Sequence, residues 1–171
     1  MNDLEEPSPA AARIRPARPA DLPRIVELAA EHAAYERAAP PAPDLVLRLD
    51  ALLFGAPIPR LHCLLAELPD GEVVGYAAAA PELSTWQGRE YLHLDCLFLR
   101  PAARGSGLGV LLMDAVAALA GRLGMTEVQW QTPDWNEGAA RFYDRIGAEA
   151  RTKLRYRLAV PAGSPGPVPA P

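Results

Sequence analysis

The hexapeptide Arg104-Gly-Ser-Gly-Leu-Gly109 is the most informative part of this 171-residue sequence. It follows a hydrophobic run, Tyr91–Leu99, that is typical of a strand, and it precedes an amphipathic run, Val110–Ala120, that is typical of a helix. Glycines let backbone N–H groups approach a phosphate closely, and the start of a helix adds a positive dipole. We therefore expect this loop to bind a phosphorylated cofactor.

The spacing of the glycines narrows the kind of phosphate site. A Walker A loop ends in Gly-Lys-Ser/Thr, which is absent here, and a dinucleotide fingerprint requires Gly-x-Gly-x-x-Gly at the start of a parallel βαβ unit. The glycines at 105, 107 and 109 have a different spacing, and the segments before them have the character of hairpins. A purely structural turn is the alternative interpretation of the loop by itself.

The pattern of apolar and turn residues predicts the order β-α-α-β-β-β-α-β-α-β around this loop. The predicted strands cover approximately residues 13–15, 61–67, 72–80, 90–99, 127–131 and 151–159. Asp21, Asp44 and Asn136 are candidate helix caps, and Gly124 and Gly147 are candidate helix ends. Hairpins beside strand–helix–strand units predict a mixed sheet in the α/β (α+β) class.

Composition limits the number of domains and the kinds of partner that the chain can have. The chain fits one domain over residues 13–160, and the Ala/Pro-rich residues 1–12 and the Pro/Gly/Ala tail 161–171 are expected to be disordered. A net charge of −4 argues against nucleic-acid partners. No signal peptide or apolar span is apparent, so we expect a cytoplasmic protein without a membrane partner. Cys63 and Cys96 lack metal-ligand spacing and are expected to be buried thiols, with no metal bound.

Two motifs together carry a family resemblance. The first is Arg104-x-x-Gly107-x-Gly109, and the second is Trp135-Asn136-Glu137-x-Ala139-x-x-Phe142-Tyr143-x-x-x-Gly147-Ala148. Over residues 13–158 the chain resembles the GNAT family of acetyl-CoA-dependent N-acetyltransferases, whose fold has the same order of elements. The stretches 34–36, 85–89 and 91–95 resemble the diamine (spermidine/spermine-type) and thialysine acetyltransferases within that family.

The resemblance implies acetyl-CoA as cosubstrate and a set of residues that bind it. Backbone amides of residues 105–110 would wrap the pyrophosphate, Arg104 would add charge, and the pantetheine arm would pair with the backbone of Leu97–Leu99 as an added strand. Asn136 would contact the arm from the other side of the cleft, and it would also serve as a helix cap. The implied cofactor-binding residues are Leu97, Phe98, Leu99, Arg104, Gly105, Ser106, Gly107, Leu108, Gly109, Val110 and Asn136.

The implied chemistry is the attack of an amine on a thioester. An alkyl amine is almost entirely protonated at neutral pH, so a group must take its proton before it can attack. Tyr143 occupies the position of the family's general acid, although packing beside Phe142 is the structural alternative. Asp95 stands where the diamine enzymes carry Glu, and it is the candidate for the proton-accepting or amine-positioning role. His93, which by strand alternation shares a face with Asp95, is a competing base or a packed residue.

The acceptor is expected to be a primary amine on a small molecule. Tyr35 and Glu36 match residues that recognise cations in the diamine enzymes, Trp86 could stack on an alkyl-ammonium chain, and His93 is a further candidate. A solvated helix-end charge is the alternative for Glu36. Ser84 stands where the diamine enzymes have an acidic residue, which favours a shorter diamine or a lysine-like amino acid over a long polyamine.

Two further expectations accompany the resemblance, and two alternatives stay open. Attack would be direct, in a ternary complex, since neither cysteine has the sequence context of a nucleophile. A homodimer is expected, because the diamine enzymes build their acceptor sites across a dimer. The alternatives are a protein or peptide N-acetyltransferase, which would need an open groove, and a non-catalytic acyl-CoA-binding regulatory module.

Overall fold

A five-stranded sheet forms the centre of the computed structural model, which describes residues 11–159. The expectations of disorder at the two ends fall, apart from residues 11 and 12, outside that range. The strands are β1 (Arg13–Pro16), β2 (His62–Glu67), β3 (Val73–Ser84), β4 (Arg89–Leu99) and β5 (Val128–Trp130). The helices are α1 (Leu22–Tyr35), α2 (Leu45–Phe54), α3 (Leu108–Arg122) and α4 (Glu137–Arg145).

The sheet is mixed, as the sequence predicts. Its strands lie in sequence order, β1-β2-β3-β4-β5, with antiparallel pairing from β1 to β4 and parallel pairing between β4 and β5. The antiparallel pairs β2–β3 and β3–β4 have short connections, such as the turn at Asp70-Gly71, where Gly71 has a φ of 90°, whereas α1 and α2 lie between the paired strands β1 and β2. The parallel pair requires a crossover, which α3 supplies.

Helices of the first unit, α1 and α3, cover the two faces of this sheet. The apolar stripe of α1 packs with side chains of β2, β3 and β4 in one hydrophobic cluster that includes Ile25, Leu28, Leu65 and Phe98. Alternate residues of the same strands, such as Leu64 and Ala77, are also buried, and α3 contacts these strands. Burial on both faces explains why the central strands are apolar runs without polar alternation.

The chain divides into two units, Met1–Asn136 and Glu137–Pro171. The first contains the sheet with α1, α2 and α3. In the second, α4 is followed by Gly147 with a φ of 83°, so the predicted stop of this helix is confirmed. The amide of Ala148 donates to the carbonyl of Tyr143 at 3.0 Å, which closes the helix end.

The expected final strand at 151–159 is wrong. These residues form no strand in the structure, and all of their side chains are exposed. Leu154, Tyr156 and Leu158 supply the alternation that suggested a strand, but a strand exists only where a neighbouring chain segment takes its backbone hydrogen bonds. Between residues 11 and 159, no helix has both the length and the apolarity that a bilayer span requires.

Candidate active site

The glycine loop joins a 3₁₀ turn at Pro101–Ala103 to the start of α3. Gly105 and Gly107 have φ values of 78° and 84°, in the left-handed region that favours glycine. Gly107 caps α3 without a side-chain hydrogen bond, so the first N–H groups of the helix lack an intrahelical partner. The hydroxyl of Ser106 donates to the carbonyl of Ala103 at 2.7 Å and holds the loop closed. This arrangement suits a phosphate.

The outer edge of β4 is open beside this loop. The pairing of β4 with β5 covers only Leu92 to Leu94, which lie opposite Val128 to Trp130. Within the described part of the first unit, no strand continues that ladder along Leu97–Leu99. Free backbone N–H and C=O groups along a strand edge accept an extended ligand as an added strand. The pairing of the pantetheine arm with Leu97–Leu99 stays a prediction, and the carbonyl of Leu99 already accepts from Nε of Arg104 at 3.0 Å.

Asp95 lies at a β-bulge in the pairing of β4 with β3, directly after the last residue of β4 that pairs with β5. Ala78 of β3 lies opposite Cys96, and the next residue, Ala79, lies opposite Leu94, so Asp95 is the extra residue of β4. The bulge interrupts the alternation that suggested a common face for His93 and Asp95. Bulges of this kind re-aim side chains and are frequent beside active sites. The carboxylate of Asp95 is exposed, and Oδ2 accepts a 3.5 Å contact from the thiol of Cys96.

Tyr35 connects two residues predicted to bind the cofactor. Its ring lies under the guanidinium of Arg104, 4.7 Å from the guanidinium carbon to the ring centroid, and its hydroxyl donates to Oδ1 of Asn136 at 3.3 Å. Arg104 also donates from Nε to the carbonyl of Leu99 at 3.0 Å and lies 5.8 Å from the ring centroid of Phe98. The sequence interpretation assigned Tyr35 to the acceptor, whereas the structure brings it into contact with the candidate cofactor residues.

The same aromatic group continues to Trp135 and Arg37. The ring centroids of Tyr35 and Trp135 are 5.9 Å apart, and the guanidinium carbon of Arg37 lies 5.1 Å from the ring centroid of Trp135. Sequence reasoning quoted Trp135 in a motif without giving it a role, and it did not select Arg37. The contacts run in the order Arg37–Trp135–Tyr35–Arg104, and they join segments that are distant in the sequence.

Glu36 is held by a polar chain that runs into the core. Nε2 of His32 lies 3.3 Å from Oε1 of Glu36, and Nδ1 of His32 lies 3.2 Å from the hydroxyl of Tyr76. The His32 ring stacks on Phe98 with centroids 5.2 Å apart. Burial, with nearby Cys96, raises the pKa of Tyr76 far above its usual value, so its hydroxyl stays protonated. Sequence reasoning did not select His32 and missed this contact.

The two cysteines are poor nucleophiles. Burial raises the pKa of Cys63 to about 12, and burial with the nearby carboxylate of Asp95 raises the pKa of Cys96 to about 12. A thiol attacks as its thiolate, which is scarce at neutral pH for such groups. Their expected burial is confirmed for Cys63, whereas Cys96 is half-buried.

Trp86 lies in the turn that joins β3 to β4 and is 98% exposed. Ser84 and Arg89 form the last pair of this hairpin. Six residues of strand separate Asp95 from Arg89, which is about 20 Å at the usual rise of a strand. Trp86 and Asp95 therefore lie at distant positions along the β3–β4 hairpin, which carries both residues.

Tyr143 belongs to α4 in the second unit. It is half-buried, and its ring centroid lies 5.3 Å from that of Phe142. Both the proton-donor role and the packing role that the sequence suggested for it stay predictions. Within residues 11–159, no group of three or more His, Cys, Asp or Glu side chains has a geometry that could hold a metal ion.

Comparison with known proteins gives one family. Residues 25–148 match the model of the "Acetyltransferase (GNAT) family". The chain is 34% identical over 149 residues to a thialysine N-epsilon-acetyltransferase of Bos taurus, which covers 82% of this chain and 85% of that protein. It is 33% identical over 89 residues to an L-ornithine N5-acetyltransferase of Arabidopsis thaliana, across 52% of this chain and 39% of that protein.

A solved structure agrees in fold. The crystal structure of a probable acetyltransferase superimposes with a TM-score of 0.73 over 86% of this chain and 97% of that chain, at 17% sequence identity. At this identity the likeness concerns the fold alone, and it is consistent with the mixed sheet and its flanking helices.

Proposed function

As a member of the acetyltransferase (GNAT) family, this chain is an acyltransferase, and we propose that it moves acetyl from acetyl-CoA to a primary amine of a small molecule. The observation that carries the proposal is the open edge of β4 beside the start of α3, whose N-cap glycine makes no side-chain hydrogen bond. Acetyl-CoA has an extended thioester arm and a phosphorylated end, so it needs a strand edge for the arm and a helix start for the phosphates. The acceptor class draws on the relatives, whose names specify thialysine and ornithine as substrates.

The cofactor-binding residues fit the proposal without a metal. Of the backbone donors proposed at 105–110, the amide of Val110 already donates to the carbonyl of Gly107 at 3.1 Å, so the phosphate would be bound by the amides before it. Gly105 and Gly107 have no β-carbon to obstruct a phosphate, and their positive φ values explain why glycine stands there. Tyr35 contacts both Arg104 and Asn136, so it holds near each other the guanidinium and the amide that we expect to bind the cofactor. Leu97–Leu99 supply the strand edge.

The reaction requires one proton to leave the ammonium before attack and one to reach the departing sulfur, and a second proton leaves the nitrogen to solvent as the amide forms. We assign the first task to Asp95, directly or through water, because its carboxylate is exposed at the bulge. We assign the second to Tyr143, because a phenol is protonated at neutral pH and donates a proton to a thiolate leaving group. The C–N bond forms as the C–S bond breaks, and the raised pKa values of both thiols support direct attack in a ternary complex.

The acceptor is a diamine, a lysine-like amino acid or a similar small amine. Glu36 would attract a cationic group of the acceptor, and its anchoring by His32 supports a fixed position. We further propose a cytoplasmic homodimer in which the exposed Trp86 reaches the acceptor site of a second copy. The alternatives are a protein or peptide N-acetyltransferase and a non-catalytic acyl-CoA-binding module.

The test is release of CoA from acetyl-CoA by the purified chain with a panel of amines. The panel contains diamines, lysine analogues, aminoglycosides and peptides, with thiol release as the readout and mass spectrometry of the products. Acetylation of small amines supports the proposal, and acetylation of peptides alone supports the protein acetyltransferase. Tight binding of acetyl-CoA without a product from any amine would mean that the chain is a binding module.

A further inference from the structure

Arg37 has a backbone conformation that is unusual for its residue type. Its φ is 56°, and it is the single non-glycine residue with a positive φ within residues 11–159. It follows the end of α1, where its amide donates to the carbonyl of Ala34 at 3.2 Å and the amide of Ala38 donates to the carbonyl of Ala33 at 2.9 Å. Helices usually place glycine or asparagine at this position, because a side chain is disfavoured in the left-handed region. An arginine here suggests that its side chain is needed.

The guanidinium of Arg37 is held but not neutralised. It lies over Trp135, 5.1 Å from the ring centroid, and no acidic side chain of the described chain forms an ion pair with it. The same indole contacts Tyr35, which contacts Arg104 and Asn136. Arg37 is therefore a fixed cation at the edge of the candidate site, with planar N–H donors that match a carboxylate.

The neighbouring residue carries the opposite charge. Glu36 is adjacent in the chain, and its carboxylate is anchored by Nε2 of His32 rather than by Arg37. Adjacent residues thus carry a carboxylate held by His32 and a guanidinium held by Trp135, and such a pair of charges is complementary to an ammonium and a carboxylate on one carbon. A diamine carries two cations and offers nothing to a guanidinium.

We propose that Arg37 binds the carboxylate of the acceptor, so that the acceptor is an α-amino acid with a second primary amine on its side chain. This inference rests on the proposed function and adds a specificity-determining residue to it. Glu36 binds the α-ammonium, Arg37 binds the α-carboxylate, and the side-chain amine is the one that is acetylated.

The cofactor also carries anionic groups, but Arg104 is better placed for them. Arg104 extends from the glycine loop and lies over Tyr35 and Phe98, whereas Arg37 lies over Trp135, the next ring beyond Tyr35. A phosphate contact from Arg37 would change the affinity for acetyl-CoA. A carboxylate contact would change the choice between acceptors and leave that affinity unaltered.

The test uses acceptors that differ only in the carboxylate: L-lysine against cadaverine and L-ornithine against putrescine. The wild type is expected to prefer the amino acids by about 10-fold or more in kcat/KM, the value of charge-assisted hydrogen bonds. Arg37→Gln should lower kcat/KM for the amino acids by about 10- to 100-fold and leave the diamines and the KM for acetyl-CoA within about twofold. Arg24→Gln, on the exposed first turns of α1, is the matched control and should change neither ratio.

Arg37→Gly separates recognition from structure. Glycine relieves the backbone conformation, so the variant should unfold at the same temperature as the wild type or above it, while it loses the preference for amino acids. A lower melting temperature with an unchanged preference would make Arg37 a structural residue and overturn the proposal. A higher KM for acetyl-CoA with an unchanged preference would overturn it in favour of a phosphate contact.

Failure of the inference is distinguishable from failure of the proposed function. If the wild type acetylates the diamines as well as or better than the amino acids, the acetyltransferase function stands and the role of Arg37 is wrong. If the wild type acetylates none of the four, the proposed function fails. Calorimetric titration of L-lysine and cadaverine into the CoA-bound wild type and Arg37→Gln then decides the carboxylate contact without turnover, since equal affinities would exclude it.

Discussion

Tyr35 and Asn136 are 101 positions apart in the chain, and the Tyr35 hydroxyl donates to Oδ1 of Asn136 at 3.3 Å. The bond links the end of α1 to the residue directly before α4. Because Tyr35 also lies under Arg104, a single side chain orients an amide and a guanidinium that we expect at the cofactor. Its effect should therefore be larger on the cofactor than on the acceptor.

Tyr35→Phe keeps the ring under Arg104 and removes the bond to Asn136. We expect the affinity for acetyl-CoA to fall by about fivefold, the value of one hydrogen bond, as measured by calorimetry. Tyr91→Phe, which removes a hydroxyl bond to Glu82 on the β3–β4 hairpin, is the control and should bind acetyl-CoA normally. Equal affinities for wild type and Tyr35→Phe would show that the bond does not position Asn136.

Tyr143→Phe tests the proton donor. The variant should bind acetyl-CoA as tightly as the wild type and lose about 100-fold or more in kcat, because the departing thiolate lacks its acid. Single-turnover kinetics with a saturating amine provide the measurement. Tyr156→Phe, at a position 86% exposed, is the control that should retain full activity. Undiminished turnover by Tyr143→Phe would leave that residue with a packing role.

Asp95→Asn tests the proton acceptor through its pH dependence. At neutral pH kcat should fall by about 100-fold, and the deficit should shrink as the pH approaches 10, where the alkyl amine loses its proton to solvent. His93→Gln is the competing variant, because either group could take the proton. A pH-dependent loss in His93→Gln with a normal Asp95→Asn would assign the base to His93.

Two glycine substitutions compare the cofactor loop with α3. Gly107→Ala meets no atom within 4 Å, but its φ of 84° makes an alanine cost about 1–2 kcal/mol and should weaken acetyl-CoA binding. Gly121→Ala also meets no atom within 4 Å and lies inside α3, so it should stabilise the fold by up to about 1 kcal/mol. Denaturant titration measures both, and a destabilised Gly121→Ala with a neutral Gly107→Ala would contradict the backbone argument.

Glu67 should make stability depend on acid pH. Arg15 and then Arg13, bonded at 2.5 Å and 2.6 Å, hold the pKa of this buried carboxylate below its usual 4.5. A lowered pKa contributes stability above the unfolded value, and that contribution is lost as pH falls through the folded value.

Glu67→Gln should therefore melt at a lower temperature than the wild type at pH 7, and the difference should shrink as the pH falls below the usual carboxyl pKa of 4.5. Thermal unfolding from pH 7 into the acid range is the measurement. Glu27→Gln removes an exposed ion pair with Arg24 and should change the melting temperature little. A difference between wild type and Glu67→Gln that stays constant as the pH falls would mean that packing rather than charge is responsible.

The sequence by itself determined the features that depend on neighbouring residues. The glycine spacing at 105–109, the stops at Gly124 and Gly147 and the hairpin at Asp70-Gly71 are set by local backbone preferences, which act over a few positions. The two motifs and the mixed sheet followed from the same local signals, and they sufficed to identify the family.

Only the tertiary structure decided which of the chosen residues meet. Asp95 lies at a bulge because of the register between β3 and β4, and Tyr35 contacts Arg104 and Asn136 because three distant segments converge. The apolar alternation at 151–159 predicted a strand, but no segment between residues 11 and 159 pairs with it as a strand requires. The left-handed backbone conformation of Arg37 could not be predicted from the sequence, because glycine normally occupies this position at a helix end. Register, convergence and pairing are properties of contacts between distant segments, so local patterns do not encode them.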